Sequence, residues 1–289
     1  MSKLNYLGWV LGRRLAGQSR ACPFCDTAKT ELSGRKRLVV ELRACPSCGL
    51  RFRWPKPEPE VFRDYYQEDY FSDATTETPD GATLKNLVDT GFAGSGDNDM
   101  SHRIGILRSF RETGRVLDFG CSWGYGTWQL KQAGYDVTGF EILRSRTGFA
   151  RDRLGQTVID DPTEIASIPD NAFDIVFTSH VLEHLPDLRN PLKLFNRLLK
   201  SGGLLVAFIP NGDGGSARAL GCGWDPLIDQ DHVLALDAPF FIKHMESYDL
   251  AAPHFNSGPF DQPFRAFGNP DAARGQLPGD ELCIVAENR

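Results

Sequence analysis

Val116-Leu117-Asp118-Phe119-Gly120-Cys121-Ser122-Trp123-Gly124-Tyr125-Gly126 is the run that decides how this chain folds. Its first four residues read as a buried strand, and the next seven as a glycine-rich turn opening a helix that lasts to Ala133 and is closed by Gly134. A second strand, Asp136 to Phe140, then ends at Glu141, 23 residues after Asp118. A glycine turn lets a ligand come close to the backbone, and an acid after the second strand is placed to accept ribose hydroxyls. A glycine turn alone is weak evidence. Its position after a strand, before a helix and upstream of the acid makes it an expected nucleoside site.

Outward from this run, strands alternate with helices, the pattern of a parallel α/β sheet. Thr157 to Ile159, the segment from Phe173, Leu204 to Ile209 and Leu282 to Ala286 read as strands; Ser101 to Arg111 and Phe240 to Leu250 read as helices. Ala251 to Gly279 reads as irregular. The fold expected is a Rossmann-like, doubly wound, mostly parallel sheet. Hydrophobic residues at 41% and charged residues at 24% exclude wholesale disorder. No apolar stretch is long enough to cross a bilayer.

The quoted run resembles the first motif of the class I S-adenosylmethionine-dependent methyltransferases, an acid, any residue and then Gly-x-Gly-x-Gly, with Ser122 in place of the middle glycine. Phe173 to Asp187 (FDIVFTSHVLEHLPD) is similar to that family's fourth strand and the Leu-Glu-His after it. Leu198 to Val206 (LLKSGGLLV), followed by Pro210-Asn211, is similar to its Gly-Gly turn and fifth strand. The resemblance runs from about Arg115 to Ile209 and implies S-adenosylmethionine as cofactor. It also implies roles: Asp118, Gly120, Cys121, Ser122 and Gly124 line the methionine end and Glu141 takes the ribose. Asp160 or Asp161 lies at the adenine edge, and Ser179 and His180 lie beside the sulfonium.

Methyl transfer needs in-line orientation, and a base where the acceptor must lose a proton. His180 is the leading base because it follows a strand end; His184 shares its face if a helix begins near Val181. Glu183 reads as a structural acid near that helix start. Gly221 to His232 (GCGWDPLIDQDH) is expected on the acceptor side, with Trp224 and His232 as candidates. The residues do not decide whether His180, Glu183, His184 and His232 hold a second metal.

The head of the chain is different in kind. Cys22-Pro-Phe-Cys25 and Cys45-Pro-Ser-Cys48 are two CxxC pairs at the spacing of a four-cysteine zinc ribbon. Four thiolates close a tetrahedron, so this zinc would be structural, and Arg37 to Leu42 is the expected ribbon strand. Thiol exchange is the weaker reading of the two pairs. Paired knuckles before a tyrosine-rich connector also resemble a subgroup that includes sugar C-methyltransferases.

Residues 1–56 carry 12 Lys+Arg against 3 Asp+Glu, and the remainder 20 against 35, so a head of +9 precedes a body of −15. The expected organisation is a basic arm and ribbon (1–56), an aromatic and helical connector with a lid (57–111) and a cofactor-binding domain (112–289). Within the connector, three prolines between Pro55 and Pro59 mark a linker, Tyr65 and Tyr66 are candidate acceptor contacts, and Ser72 to Asp99 reads as a polar loop. Thiol usage and the lack of a secretory leader pattern point to a cytoplasmic location.

Two functions compete inside the enzyme class: methylation of a hydroxyl on a small molecule such as a sugar, glycolipid or secondary metabolite, and methylation of an RNA base with the basic ribbon on phosphates. A protein that binds S-adenosylmethionine without catalysis is the reading outside it.

Overall fold

The computed structural model describes residues 3–57 and 77–289; Tyr65 and Tyr66, the candidate acceptor contacts of the connector, lie outside these. Eleven strands are described in chain order: β1 Glu31–Lys36, β2 Val40–Ala44, β3 Arg51–Trp54, β4 Arg115–Phe119, β5 Asp136–Phe140, β6 Val158–Ile159, β7 Phe173–Ser179, β8 Leu199–Pro210, β9 Leu234–Ala235, β10 Leu250–Ser257 and β11 Glu281–Asn288. The chain divides into two compact units, one made of Tyr65–Thr178 and Arg197–Val206, the other of Met1–Asp64, Ser179–Asn196 and Ala207–Arg289. No helix among the described residues is long and apolar enough to cross a membrane.

The unit built on Tyr65–Thr178 is the Rossmann-like α/β element, with its strands in the order β8-β7-β4-β5-β6. β4 pairs parallel to β5 from Val116↔Val137 to Phe119↔Phe140, parallel to β7 through Leu117↔Val176, and β5 pairs parallel to β6. Val116, Leu117 and Phe119 are buried, as a strand covered on both faces requires. The glycine turn and the Glu141 corner follow the carboxyl ends of β4 and β5, where open α/β sheets bind ligands.

One expectation is corrected in this unit. The described part of the segment read as a polar loop contains a helix, Gly81–Asp89, capped by Asp80, whose side chain accepts from Thr83 N at 2.7 Å. Its apolar residues are few but correctly spaced. Leu84, Leu87 and Val88 fall on one face and join Phe92 and Trp123 in a local core, where the Phe92 ring lies 6.0 Å from Trp123 and 5.4 Å from Trp128.

The other unit contains an antiparallel sheet in the order β1-β2-β3-β9, and separately the antiparallel pair β10-β11. The strand expected over Arg37 to Leu42 is present from Val40 as β2, while Arg37 and Leu38, at φ 50° and 61°, form the turn that joins it to β1. Strand propensity was right from Val40, and the tight turn overrode it before that. The helix expected from Phe240 is Ala238–His244, started by Asp237 accepting from Phe240 N and by Pro239 in the first turn. Leu250 opens β10 rather than ending that helix, so part of the interval read as irregular is a strand against β11.

Phe92 is 0% exposed and Leu38 is 85% exposed. Phe92→Ala is expected to lower the unfolding free energy by about 3–5 kcal/mol, and Leu38→Ala by less than about 0.5 kcal/mol. Urea denaturation of both variants checks the contrast.

Candidate functional site

The nucleoside turn is built by close packing. Gly120 and Gly124 adopt φ 82° and 86°, and Ser122 adopts φ 51°, a left-handed conformation that explains why glycine is expected there. Gly120 N and Cys121 N both donate to Phe140 O, at 2.8 and 3.0 Å, which ties the turn to the end of β5. Glu141 completes the tie: its carboxylate accepts from Ser122 N at 3.1 Å and from Leu143 N at 2.9 Å. The glycine turn and the acid corner therefore form one hydrogen-bonded structure.

This structure holds uncompensated polarity. Asp118 is buried and accepts from Thr127 Oγ1 at 2.7 Å, yet burial, with the nearby Glu141 charge adding to it, pushes its carboxyl up to about 7. Burial also raises Glu141, against the backbone N–H groups that favour its charged form. The Ser122 hydroxyl is buried with no hydrogen-bond partner. Two buried acids and an orphaned hydroxyl fit a ligand that is cationic at one end and polar at the other. The Cys121 side chain packs with Ala150 and Val158, so what it offers the turn is backbone.

The remaining residues expected at the cofactor are placed as follows. Asp160 is half-buried and accepts from Arg151 Nη1 at 2.9 Å and Thr147 Oγ1 at 3.1 Å. Asp161 is exposed and caps the short helix Pro162–Ser167. Ser179 ends β7. Thr127, nine residues after Asp118, is a partner that motif reading passed over, although its position one turn into the helix Tyr125–Gln132 is the available signal.

In the other unit the expected histidines converge. His180, at φ 54°, is followed by a 3-10 turn over Leu182–His184 rather than a helix, and both His180 and His184 approach the same carboxylate oxygen of Glu183, Oε1. His180 Nδ1 lies 3.4 Å from Glu183 Oε1, and its Nε2 lies 2.8 Å from Glu281 Oε1. Burial works against its charge, but the two carboxylates outweigh it and raise the imidazole to about 9; its ring remains 40% exposed. Glu183 is held near 2 because His180 and His184 outweigh its burial, and burial keeps His184 near 4.

The two carboxylates beside it favour the charged form of His180. Glu281, which sets that state, is 101 residues from His180 and carries no local motif. His232 meets His184 edge to face, with ring centroids 4.6 Å apart. Trp224 packs against the cluster that contains Leu227 and Ile228.

Cys22, Cys25, Cys45 and Cys48 gather in the same unit, with Cys22–Cys48 at 3.5 Å, Cys25–Cys45 at 3.4 Å and all four sulfurs within 4.8 Å of one another. A tetrahedral zinc with bonds of about 2.3 Å has sulfur–sulfur edges of about 3.8 Å, so the donor set fits such an ion. The first knuckle's Phe24 ring packs at 5.0 Å on Phe240 and 4.9 Å on His244, while His244 Nε2 and Lys243 Nζ reach Cys48 O and Ser47 O of the second.

The parallel strands, glycine turn and following acid define a Rossmann-like α/β protein. Residues 98–252 match the model of a family described as a methyltransferase domain, and the chain belongs to that family. It is 28% identical over 138 residues to malonyl-[acyl-carrier protein] O-methyltransferase of Serratia marcescens, covering 47% of this chain and 53% of that one. With the ubiquinone biosynthesis O-methyltransferase of Aromatoleum aromaticum it shares 35% identity over 95 residues, 31% of this chain and 41% of that one. The chain thus spans about half or less of these relatives. Among solved structures, phosphoethanolamine N-methyltransferase 2 of Haemonchus contortus, in complex with S-adenosyl-L-methionine, shares the fold with a TM-score of 0.55 at 16% identity, over 82% of this chain and 61% of that one.

A Cβ added at Gly124 would lie 2.8 Å from Ala150 Cβ, on backbone at φ 86°. Gly124→Ala is expected to cost about 1–3 kcal/mol in thermal unfolding, because neither the left-handed backbone nor the packed helix Arg144–Leu154 can yield cheaply.

Proposed function

We propose that the chain is an S-adenosylmethionine-dependent methyltransferase acting on an oxygen of a small molecule. The observation that carries the reading is the glycine turn tied to Glu141, with Asp118 and the Ser122 hydroxyl buried and lacking compensation. In this reading Asp118, Gly120, Cys121, Ser122 and Gly124 take the methionine end, Glu141 the ribose, and Asp160 or Asp161 the adenine edge. Bound there, S-adenosylmethionine supplies an electrophilic methyl carbon, and transfer leaves the sulfur's electron pair on a neutral thioether. Asp118 opposes the ligand's positive end and the backbone of the turn excludes water.

In the same reading His180 is the leading candidate on the acceptor side, where it would take the proton that an acceptor hydroxyl loses. His184 and His232 remain on that side, with Trp224 as packing. The named activities of the Serratia and Aromatoleum relatives, both O-methyltransferases, support oxygen as the atom that is methylated.

The charges of the basic head support a small acceptor over RNA. Arg14, Arg20 and Arg43 surround Glu41, Lys36 pairs with Asp225, and Arg51 with Asp237. Cations committed in this way are poor phosphate contacts. We assign zinc to the four clustered cysteines, retain the division into ribbon (1–56), connector (57–111) and cofactor-binding domain (112–289), and assign the protein to the cytoplasm, where Cys121, Cys222 and Cys283 stay reduced.

Calorimetric titration of the zinc-loaded protein with S-adenosylmethionine is expected to show binding that strengthens as pH rises towards 7, by up to about tenfold per pH unit, and levels off above about 8. The sign follows from Asp118: the empty site holds its proton below about 7, and a cationic ligand must displace it. Asp118→Asn should flatten the profile. Absence of binding in the folded protein would remove the proposal, and label transferred to RNA rather than to hydroxylated small molecules would redirect it.

A further inference from the structure

We propose that Glu183, His184 and His232 form a second metal site, separate from the cysteines, that takes a divalent first-row transition ion through two imidazole nitrogens and one carboxylate. One potential ligand atom from each of these residues lies within 4.8 Å of the others. The donor set is nitrogen-rich, which suits zinc, iron, cobalt or manganese, whereas magnesium and calcium prefer all-oxygen ligands.

Glu183 is the strongest evidence. It is 1% exposed, and both its carboxylate oxygens are buried with no hydrogen-bond partner. His180 Nδ1 at 3.4 Å and His184 Nε2 at 3.8 Å approach one of those oxygens without a well-formed hydrogen bond. The ionic neighbours of Glu183 are histidines that stand off at these distances, so the hydrogen-bonding capacity of a buried carboxylate is left unmet, and a bound cation would meet it.

The second observation is how the rings are held. His184 Nδ1 donates to Asp231 O at 3.0 Å and His232 Nδ1 donates to Pro226 O at 2.8 Å. A carbonyl only accepts, so each Nδ1 carries the proton and Nε2 is left as the ligand atom. Backbone carbonyls behind the distal nitrogen are how proteins orient metal-binding histidines. His180 is not among these mutually close donors, so the ligands number three. Three protein ligands leave coordination positions open, unlike the closed tetrahedron of the cysteines.

Those open positions give the site its use. An acceptor hydroxyl bound to the ion would lose its proton more readily, which is how a metal generates an oxygen nucleophile near neutral pH. This last step rests on the methyl-transfer reading; the metal site itself does not.

Cobalt(II) titration of the full chain, with metal content measured after gel filtration, separates the two sites. The two donor groups predict two equivalents per chain: one with intense sulfur-to-metal charge-transfer absorption, one with weak visible bands only. His232→Ala and Glu183→Gln should each lose the second equivalent and keep the thiolate absorption. In the wild-type cobalt protein, proton NMR should show two strongly shifted, exchangeable imidazole N–H signals from His184 and His232, a readout independent of how the variants fold. A single thiolate-type equivalent in the wild type, or absence of those shifted signals, would overturn the site. S-adenosylmethionine binding is measured separately, so this outcome and failure of the methyltransferase reading are distinguishable.

Discussion

Val233 is the residue on which the histidine-bearing unit depends. Its carbonyl accepts from Arg53 N at 2.8 Å, and its N–H donates to Glu183 O at 2.9 Å. One residue thus joins the ribbon strand β3 to the turn that carries Glu183 and His184, and the preceding residue is His232. β9 continues the connection as the fourth strand of the ribbon's own sheet, through Phe52↔Leu234 and Arg51↔Ala235. Side chains reinforce it: Arg53 Nη1 reaches Gln230 O at 2.6 Å and Lys36 Nζ reaches Ile228 O at 2.6 Å. The cysteine module is therefore part of the framework that shapes residues 222–237, and an ion among its sulfurs would stiffen the strand against which His232 is held.

The other unit solves a different problem. It must keep two acids, Asp118 and Glu141, buried next to a turn with little side-chain bulk, and burial of like charges is unfavourable. The compensation is mostly backbone. Ser122 N and Leu143 N serve Glu141, while Asp118 has the Thr127 hydroxyl and retains a proton that a cationic ligand can displace. Serine at position 122 holds a left-handed backbone conformation that glycine adopts freely, and its small hydroxyl is buried without a hydrogen-bond partner.

Much of this was legible in the chain. β5 spans the residues its alternation marked, and β4 and the glycine turn follow from local pattern, because short apolar runs bounded by glycine have few other solutions. The cysteine cluster was legible for the same reason, since CxxC spacing sets sulfur positions with little help from the fold. What escaped is non-local or carried by few residues. Three apolar side chains between Gly81 and Asp89 were too few to outweigh a polar composition. Glu281 acts on His180 only through the pairing of distant strands, and the 3-10 turn after His180 replaces a helix because Val233 claims the Glu183 carbonyl.

The charge split illustrates how composition can mislead when read alone. A head of +9 ahead of a body of −15 resembles a surface made for a polyanion. Within the folded unit, much of that charge meets acids and carbonyls of the same chain: Lys36 and Arg37 face Asp225 and Asp229, Arg51 faces Asp237, and Arg53 is aimed at the carbonyls of Asp229 and Gln230. Complementary charge of this kind contributes little to stability where it is exposed. It does fix register, because a slip of β3 by one residue would send Arg51 and Arg53 to the opposite face and leave Asp237 buried without its cation. The asymmetry between head and body is therefore better read as the recognition of one segment of the chain by another, at the place where the candidate histidine site is assembled.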